Sequence, residues 1–193
     1  MVSLGFWQLR RADEKAMLLT ELRENPSKPL VAFPGAGSVA DSLLFRRSTV
    51  ICAAVARWSV EAGSAADGTT GYRLVAHCSG VAERAGPMIV VGVTNRPDFR
   101  PAWNGGSVSG WITRAPDRRP LIAHLSGAKV VLPPMLIAAE APAGLKPAAP
   151  PRVEDVPNNH SGYAVQWFAF AGIALIIYGL ALARRRAASG GDS

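Results

Sequence analysis

Between Tyr163 and Ala183 the chain carries 21 residues without a formal charge, and Gln166 is the one strongly polar side chain among them. At a helical rise of about 1.5 Å per residue this run is roughly 31 Å long, the depth of a bilayer's hydrocarbon layer. A buried core helix is usually built on a shorter apolar run of about 10 to 14 residues. Tyr163, Trp167 and Phe168 stand at one end and Tyr178 near the other, as interfacial aromatics do, and Arg184-Arg185-Arg186 supplies the flank expected on the cytoplasmic side. The same charge rule places the tail, residues 184–193, in the cytoplasm and the residues before Tyr163 on the opposite face.

About 160 residues remain outside this helix, enough for one domain with a sizeable core. The expected fold is therefore a membrane protein: a β-rich (α+β) extracytoplasmic domain, a small antiparallel barrel or sandwich, with a C-terminal transmembrane helix. Residues 28–141 carry short runs rich in Val, Ile and aromatics, punctuated by Gly and Pro. Strands are expected near 48–60, 72–77, 88–94 and 107–113, with weaker ones at 121–124 and 136–139. Turns are expected at Ala66-Asp67-Gly68, 83–87, Asn104-Gly105-Gly106 and Ala115-Pro116-Asp117. Five prolines between Ala141 and Pro157 predict an extended tether, bounded as residues 142–160, leading to a helix over 161–183.

Residues 1–27 are expected to form a juxtamembrane helix. Its amphipathic part runs from Asp13 to Glu24, with Met17, Leu18 and Leu22 toward one face and Asn25-Pro26 as the stop. Residues 2–7 are apolar but too few to span a bilayer, and a domain exported ahead of its anchor needs a signal. They are expected to be the last turn of a first membrane helix that begins upstream of Met1. Translating the reading frame before Met1 tests this.

The net charge of +7 comes from scattered arginines, three of which form the membrane flank. No basic stripe with interleaved aromatics is present, so nucleic acid is not an expected partner, whereas anionic headgroups or a cofactor's propionates suit such a surface. Phe33-Pro34-Gly35-Ala36-Gly37-Ser38 lacks the Lys-Ser/Thr ending of a phosphate loop and reads as a turn. There is no Gly-x-Ser-x-Gly, and most carboxylates fall in or near turns. No catalytic residues and no resident metal site are expected, and the chain does not read as an enzyme. Cys52 and Cys78 form either one disulfide or two buried thiols in an oxidising compartment, and the spacing does not choose between them. His77-Cys78 is a weak soft-metal pair.

His160 has two readings. It is an interfacial residue at a helix start capped by Asn158 or Asn159, or it is an axial ligand whose imidazole lone pair meets a haem iron, with aromatics over the porphyrin and Ala164 and Gly172 letting the flat ring approach.

Two blocks bear on that choice. Leu4-Gly5-x-Trp7-Gln8-Leu9-x-Arg11 and Asn158-Asn159-His160-x-x-Tyr163-Ala164-x-Gln166-Trp167-Phe168 resemble the signature blocks of the Surfeit locus protein 1 family of cytochrome c oxidase assembly factors. Gly71-Tyr72-Arg73 and the segment from Met88 to Arg96 look like that family's central strands. Asn95-Arg96-Pro97-Asp98 departs from the usual Asn-Arg-Gly-Trp, which on this resemblance implies a divergent member, and the position of the first block implies one lacking its first transmembrane helix. The resemblance implies a non-enzymatic factor in a bacterial inner membrane, with its main domain periplasmic and its C-terminus cytoplasmic. It would assist haem a insertion, or stabilise the haem-bearing subunit of the oxidase, in some bacteria beside haem A synthase. It makes His160 the candidate haem ligand and Trp7, Gln8, Arg11, Tyr163, Gln166 and Trp167 candidate haem or subunit contacts. The alternatives are a structural docking partner that never touches haem, and an anchored periplasmic copper carrier using Cys52, Cys78 and His77.

Overall fold

The structure of the chain, a computed structural model, describes residues 2–35, 37–80, 86–120, 131–156 and 158–189. It divides into two compact units, Glu21–Asp155 on one hand and Met1–Thr20 with Val156–Ser193 on the other.

The larger unit is a seven-stranded sheet: β1 (Val31–Ala32), β2 (Arg47–Cys52), β3 (Val55–Ser64), β4 (Thr70–Cys78), β5 (Met88–Thr94), β6 (Gly106–Arg114) and β7 (Pro134–Ala138), in the order β1-β2-β6-β7-β5-β4-β3. The antiparallel arrangement expected from the sequence is corrected to a mixed one, because β1 pairs with β2 and β5 with β7 in parallel. Parallel pairing requires a long crossover rather than a tight hairpin, and β7 reaches β5 by way of β6. The strand expected at 121–124 and part of the turn expected at 83–87 lie outside the described residues.

The run expected as a single strand over 48–60 breaks at Ala53-Ala54 into β2 and β3. These two neighbours in sequence stand second and last in the sheet order. In a flat sheet, five steps of about 4.8 Å would separate them by roughly 24 Å, more than two linking residues can bridge. The sheet therefore curls back on itself. A disulfide pins the curl: Cys52 at the end of β2 is bonded to Cys78 at the end of β4, with Cα atoms 5.4 Å apart, although four strand steps lie between them in the order.

Strand periodicity sends alternate side chains to two cores. Leu74, Ala76, Ile89, Val91, Leu136 and Ala138 join both cysteines in one cluster, while Val75, Val90, Val93, Met135 and Ile137 form the other. Val91 is the extra residue of a bulge, since Leu74 pairs with Gly92 and Val75 with Val90. The β3–β4 turn forms where expected: Gly68 takes a positive φ of 85°, and Asp67 Oδ1 accepts from Thr69 N at 2.9 Å. Phe33 to Gly37 leads to a single 3-10 turn, Asp41–Leu43, in place of the long helix a phosphate loop requires.

The proline-rich segment is more than a spacer. Lys146 exchanges backbone hydrogen bonds with Val93, Ala66 N donates to Pro147 O, and Ala148 is buried at 2 % exposure. Its first part is stitched to the end of β5 and to the turn after β3, because proline carbonyls still accept even though proline nitrogens cannot donate.

The smaller unit is helical. Helix α1 (Val2–Glu24) runs without a break through the stretch where the sequence pattern suggested a start at Asp13. The earlier residues continue it because Gly5 and Phe6 have Phe168 of helix α2 (His160–Ser189) to pack against. The helix stops as Asn25-Pro26 predicts. Asn25 already belongs to the larger unit; it is fully buried there, and its side-chain nitrogen donates to the carbonyls of Ser42 (3.1 Å) and Leu44 (2.8 Å).

Candidate functional site

Gly5, Gln8, Ala12 and Lys15 are the less exposed positions along the first part of α1, and His160, Ala164, Phe168 and Ala171 are among those of α2. Both sets recur at three or four residues, the spacing that keeps side chains on one helix face. The contacts fix the direction of packing. Phe6 meets Phe168 edge to face at 5.4 Å, and Gln8 meets His160, so the chain advances on one helix as it retreats on the other. A Cβ on Gly5 would stand 2.6 Å from the Phe168 ring. Only a glycine lets that ring seat without moving.

His160 opens α2, and the helical ladder begins one residue earlier, with Tyr163 N donating to Asn159 O at 3.1 Å. Its Nδ1 lies 2.7 Å from Gln8 Oε1. The structure thus joins two residues 152 positions apart that the sequence blocks had marked separately. Around α2, at about 100° per residue, Trp167 lies about 20° and Tyr163 about 60° from His160, whereas Gln166 is about 120° away. Trp167 and Tyr163 therefore share the helix face of His160, about two turns and one turn farther along, and Gln166 does not. On α1 Trp7 is 47 % exposed and sits about 100° from Gln8. Arg11 pairs with Glu14 at 2.5 Å in an exposed contact, worth at most about 1 kcal/mol and easily exchanged for another anion.

Ala164 does not serve the role expected of it. At 1 % exposure it is buried within the helical unit and offers no open surface to a flat ring. At Gly172 a Cβ would meet nothing within 4 Å, so that part of the backbone remains open. The pairing of Gly5 and Phe6 with Phe168 was missed by the sequence reading, although Phe168 closes the second block and Gly5 belongs to the first.

Farther along α2, Val165, Ile173, Leu175, Ile176, Ile177 and Leu180 are each more than half exposed. In water each would forgo about 1.5 to 3 kcal/mol of burial. The stretch His160–Arg185 has the length and composition to cross a membrane, where those faces meet lipid instead.

The sheet unit holds a second polar group. His77 Nε2 lies 2.8 Å from Ser59 Oγ, and burial, then Arg57 and Arg118, hold its pKa below the usual imidazole value against the opposing pull of Glu61. Glu61, whose side chain is 8 % exposed, is clamped between Arg73 and Arg118. A cavity of about 600 Å³ beside His77 is lined by Phe33, Val50, Arg57, Cys78 and Met88 among others. The disulfide removes both thiolates that a copper site at Cys52 and Cys78 would need. Among the described residues no three His, Cys, Asp or Glu side chains are grouped to hold a metal ion.

A curled, disulfide-pinned sheet in one chain with a helix fit to cross a bilayer defines a β-rich module with a membrane anchor. The SURF1 family model matches residues 1–172, from α1 through the sheet and into α2 as far as Gly172. The chain belongs to the SURF1 family, the Surfeit locus protein 1 family, which is linked to cytochrome c oxidase assembly. No curated protein matches it.

Proposed function

We propose that the chain is a membrane-anchored assembly factor for cytochrome c oxidase that holds haem a, or the half-built haem-bearing subunit, at the outer face of the bacterial inner membrane. The observation that carries this reading is the contact between His160 and Gln8 at the start of the apolar helix. Among the described residues Nε2 has no hydrogen-bond partner, and a haem ligand needs one unoccupied ring nitrogen. Haem a, when bound, would supply a Lewis-acidic iron that accepts an imidazole lone pair. The chain's own residues do the rest: His160 offers the lone pair, Tyr163 and Trp167 share its helix face, and Arg11 can trade Glu14 for a propionate. The charge-free segment orients the chain, with the arginine tail in the cytoplasm and the sheet, read as a small partly open barrel, in the periplasm. Haem A synthase is the natural donor on this reading, and the chain itself carries out no covalent chemistry.

A second reading, docking on the oxidase subunit without haem contact, is favoured by the apolar faces that α2 leaves exposed. Titration of haem a into the detergent-purified protein separates the two. The first reading expects a Soret band that His160→Ala abolishes; an unchanged spectrum in the variant would favour the second. A reporter fused after Ser193 should be active only in its cytoplasmic form, and periplasmic activity would overturn the orientation.

A further inference from the structure

We infer that Gln8 is a positioning residue: it fixes the tautomer of His160, so that the ring nitrogen farther from the main chain is the one left to bind. This rests on the reading of His160 as the haem ligand.

Gln8 lies in the run Val2-Ser3-Leu4-Gly5-Phe6-Trp7-Gln8-Leu9, where it and Ser3 are the polar side chains. An amide among apolar neighbours loses stability unless its polar atoms are satisfied, and leucine would fill the same space at no such cost. Gln8 Oε1 can only accept, so the 2.7 Å contact requires His160 Nδ1 to carry the proton and donate. A neutral imidazole has one N–H, so Nε2 then holds the lone pair. Nδ1 is the nitrogen next to the side-chain attachment and is hemmed in by the helix it starts; Nε2 projects beyond it. A ring free to choose would often place its proton on Nε2 and turn the wrong nitrogen outward. An acceptor on Nδ1–H also raises the basicity of the other nitrogen, the usual function of a group standing behind a histidine ligand.

The contact joins the two helices, and this explains why a glutamine in one sequence block should matter to a histidine in the other. It also distinguishes Gln8 from Trp7 and Arg11, neither of which hydrogen-bonds to His160 among the described residues: Trp7 is half exposed and Arg11 is engaged with Glu14.

The test is nitrogen-15 NMR of the full chain in detergent micelles, labelled at histidine, with the His160 signals assigned by their loss in His160→Ala. In the parent chain without haem, Nδ1 should resonate as a proton-bearing nitrogen and Nε2 as a bare one. Gln8→Leu should move the proton wholly or partly to Nε2, while Gln8→Glu, which keeps an acceptor in place, should retain the parent pattern. A proton on Nε2 in the parent chain overturns the inference without recourse to any variant. So does a pattern that Gln8→Leu leaves unchanged.

Haem a titration of the same proteins supplies the second arm. Gln8→Leu should bind about 10- to 100-fold more weakly than the parent, with Gln8→Glu close to it. If His160→Ala binds like the parent, the ligand reading falls and takes this role with it. If His160→Ala loses binding and Gln8→Leu does not weaken it, Gln8 has no positioning role and the ligand reading stands.

Discussion

The sheet unit and the helical unit are stabilised by opposite means. Residues of the sheet unit such as Leu74, Val75, Ile89, Val90 and Leu136 are fully buried in two cores, and a disulfide locks its curl. The helical unit buries small residues, Gly5, Ala164 and Ala171, and leaves its large apolar side chains outside. The first pattern suits water, where burial of apolar area drives folding. The second suits lipid, where helices associate through small residues, close packing and a few polar contacts rather than through apolar burial. The candidate ligand and its hydrogen-bond partner belong to the unit whose long helix is fit to cross a membrane.

Substitutions should therefore divide cleanly. The largest effect is expected from Leu136→Ala, which should cost the sheet unit about 2 to 5 kcal/mol while leaving the haem a binding proposed for the helical unit as it is in the parent chain; chemical denaturation followed by tryptophan fluorescence reads the first and a haem titration the second. Cys52→Ser with Cys78→Ser should cost about 2 to 4 kcal/mol in the same assay, and a reductant should reproduce that loss in the parent chain. If neither treatment lowers stability, the disulfide is not what holds the sheet's curl.

Asn25→Ala comes next. It strips the carbonyls of Ser42 and Leu44 of their side-chain donor, a loss of about 1 to 3 kcal/mol. The smallest effect is pH-dependent. The folded His77 releases its proton more readily than an unfolded histidine, so unfolded chains bind more protons below about pH 6.5. Stability should fall as the medium is acidified through and below that value and should recover as pH rises. His77→Gln should flatten this part of the profile; an equal slope in parent and variant would assign the dependence to other groups.

What the sequence disclosed follows the same division. The long apolar helix was legible because 21 residues without a charge favour one continuous helix of membrane-crossing length, and Gln8 and His160 were each marked by their blocks. Their mutual contact was not, since nothing local to either block specifies which residue of α1 faces which residue of α2. In the sheet, strands β4, β5 and β6 were legible from runs of Val, Ile and aromatic residues. The break at Ala53-Ala54 was hidden, because both sides of it are rich in β-forming residues and the corner is forced by the curl. For the same reason the spacing of Cys52 and Cys78 could not decide their pairing: their proximity is a product of long-range sheet order. The tether's docking was equally obscure, since prolines mark an extended backbone without showing what it lies against.

The central claim is that oxidase maturation depends on the imidazole that opens α2. The most direct measurement is the haem a content of cytochrome c oxidase in membranes of cells whose only SURF1-family protein is this chain, with parent and His160→Ala chains present at equal levels. A marked loss of haem a in the variant is the predicted result. A normal complement would contradict the account.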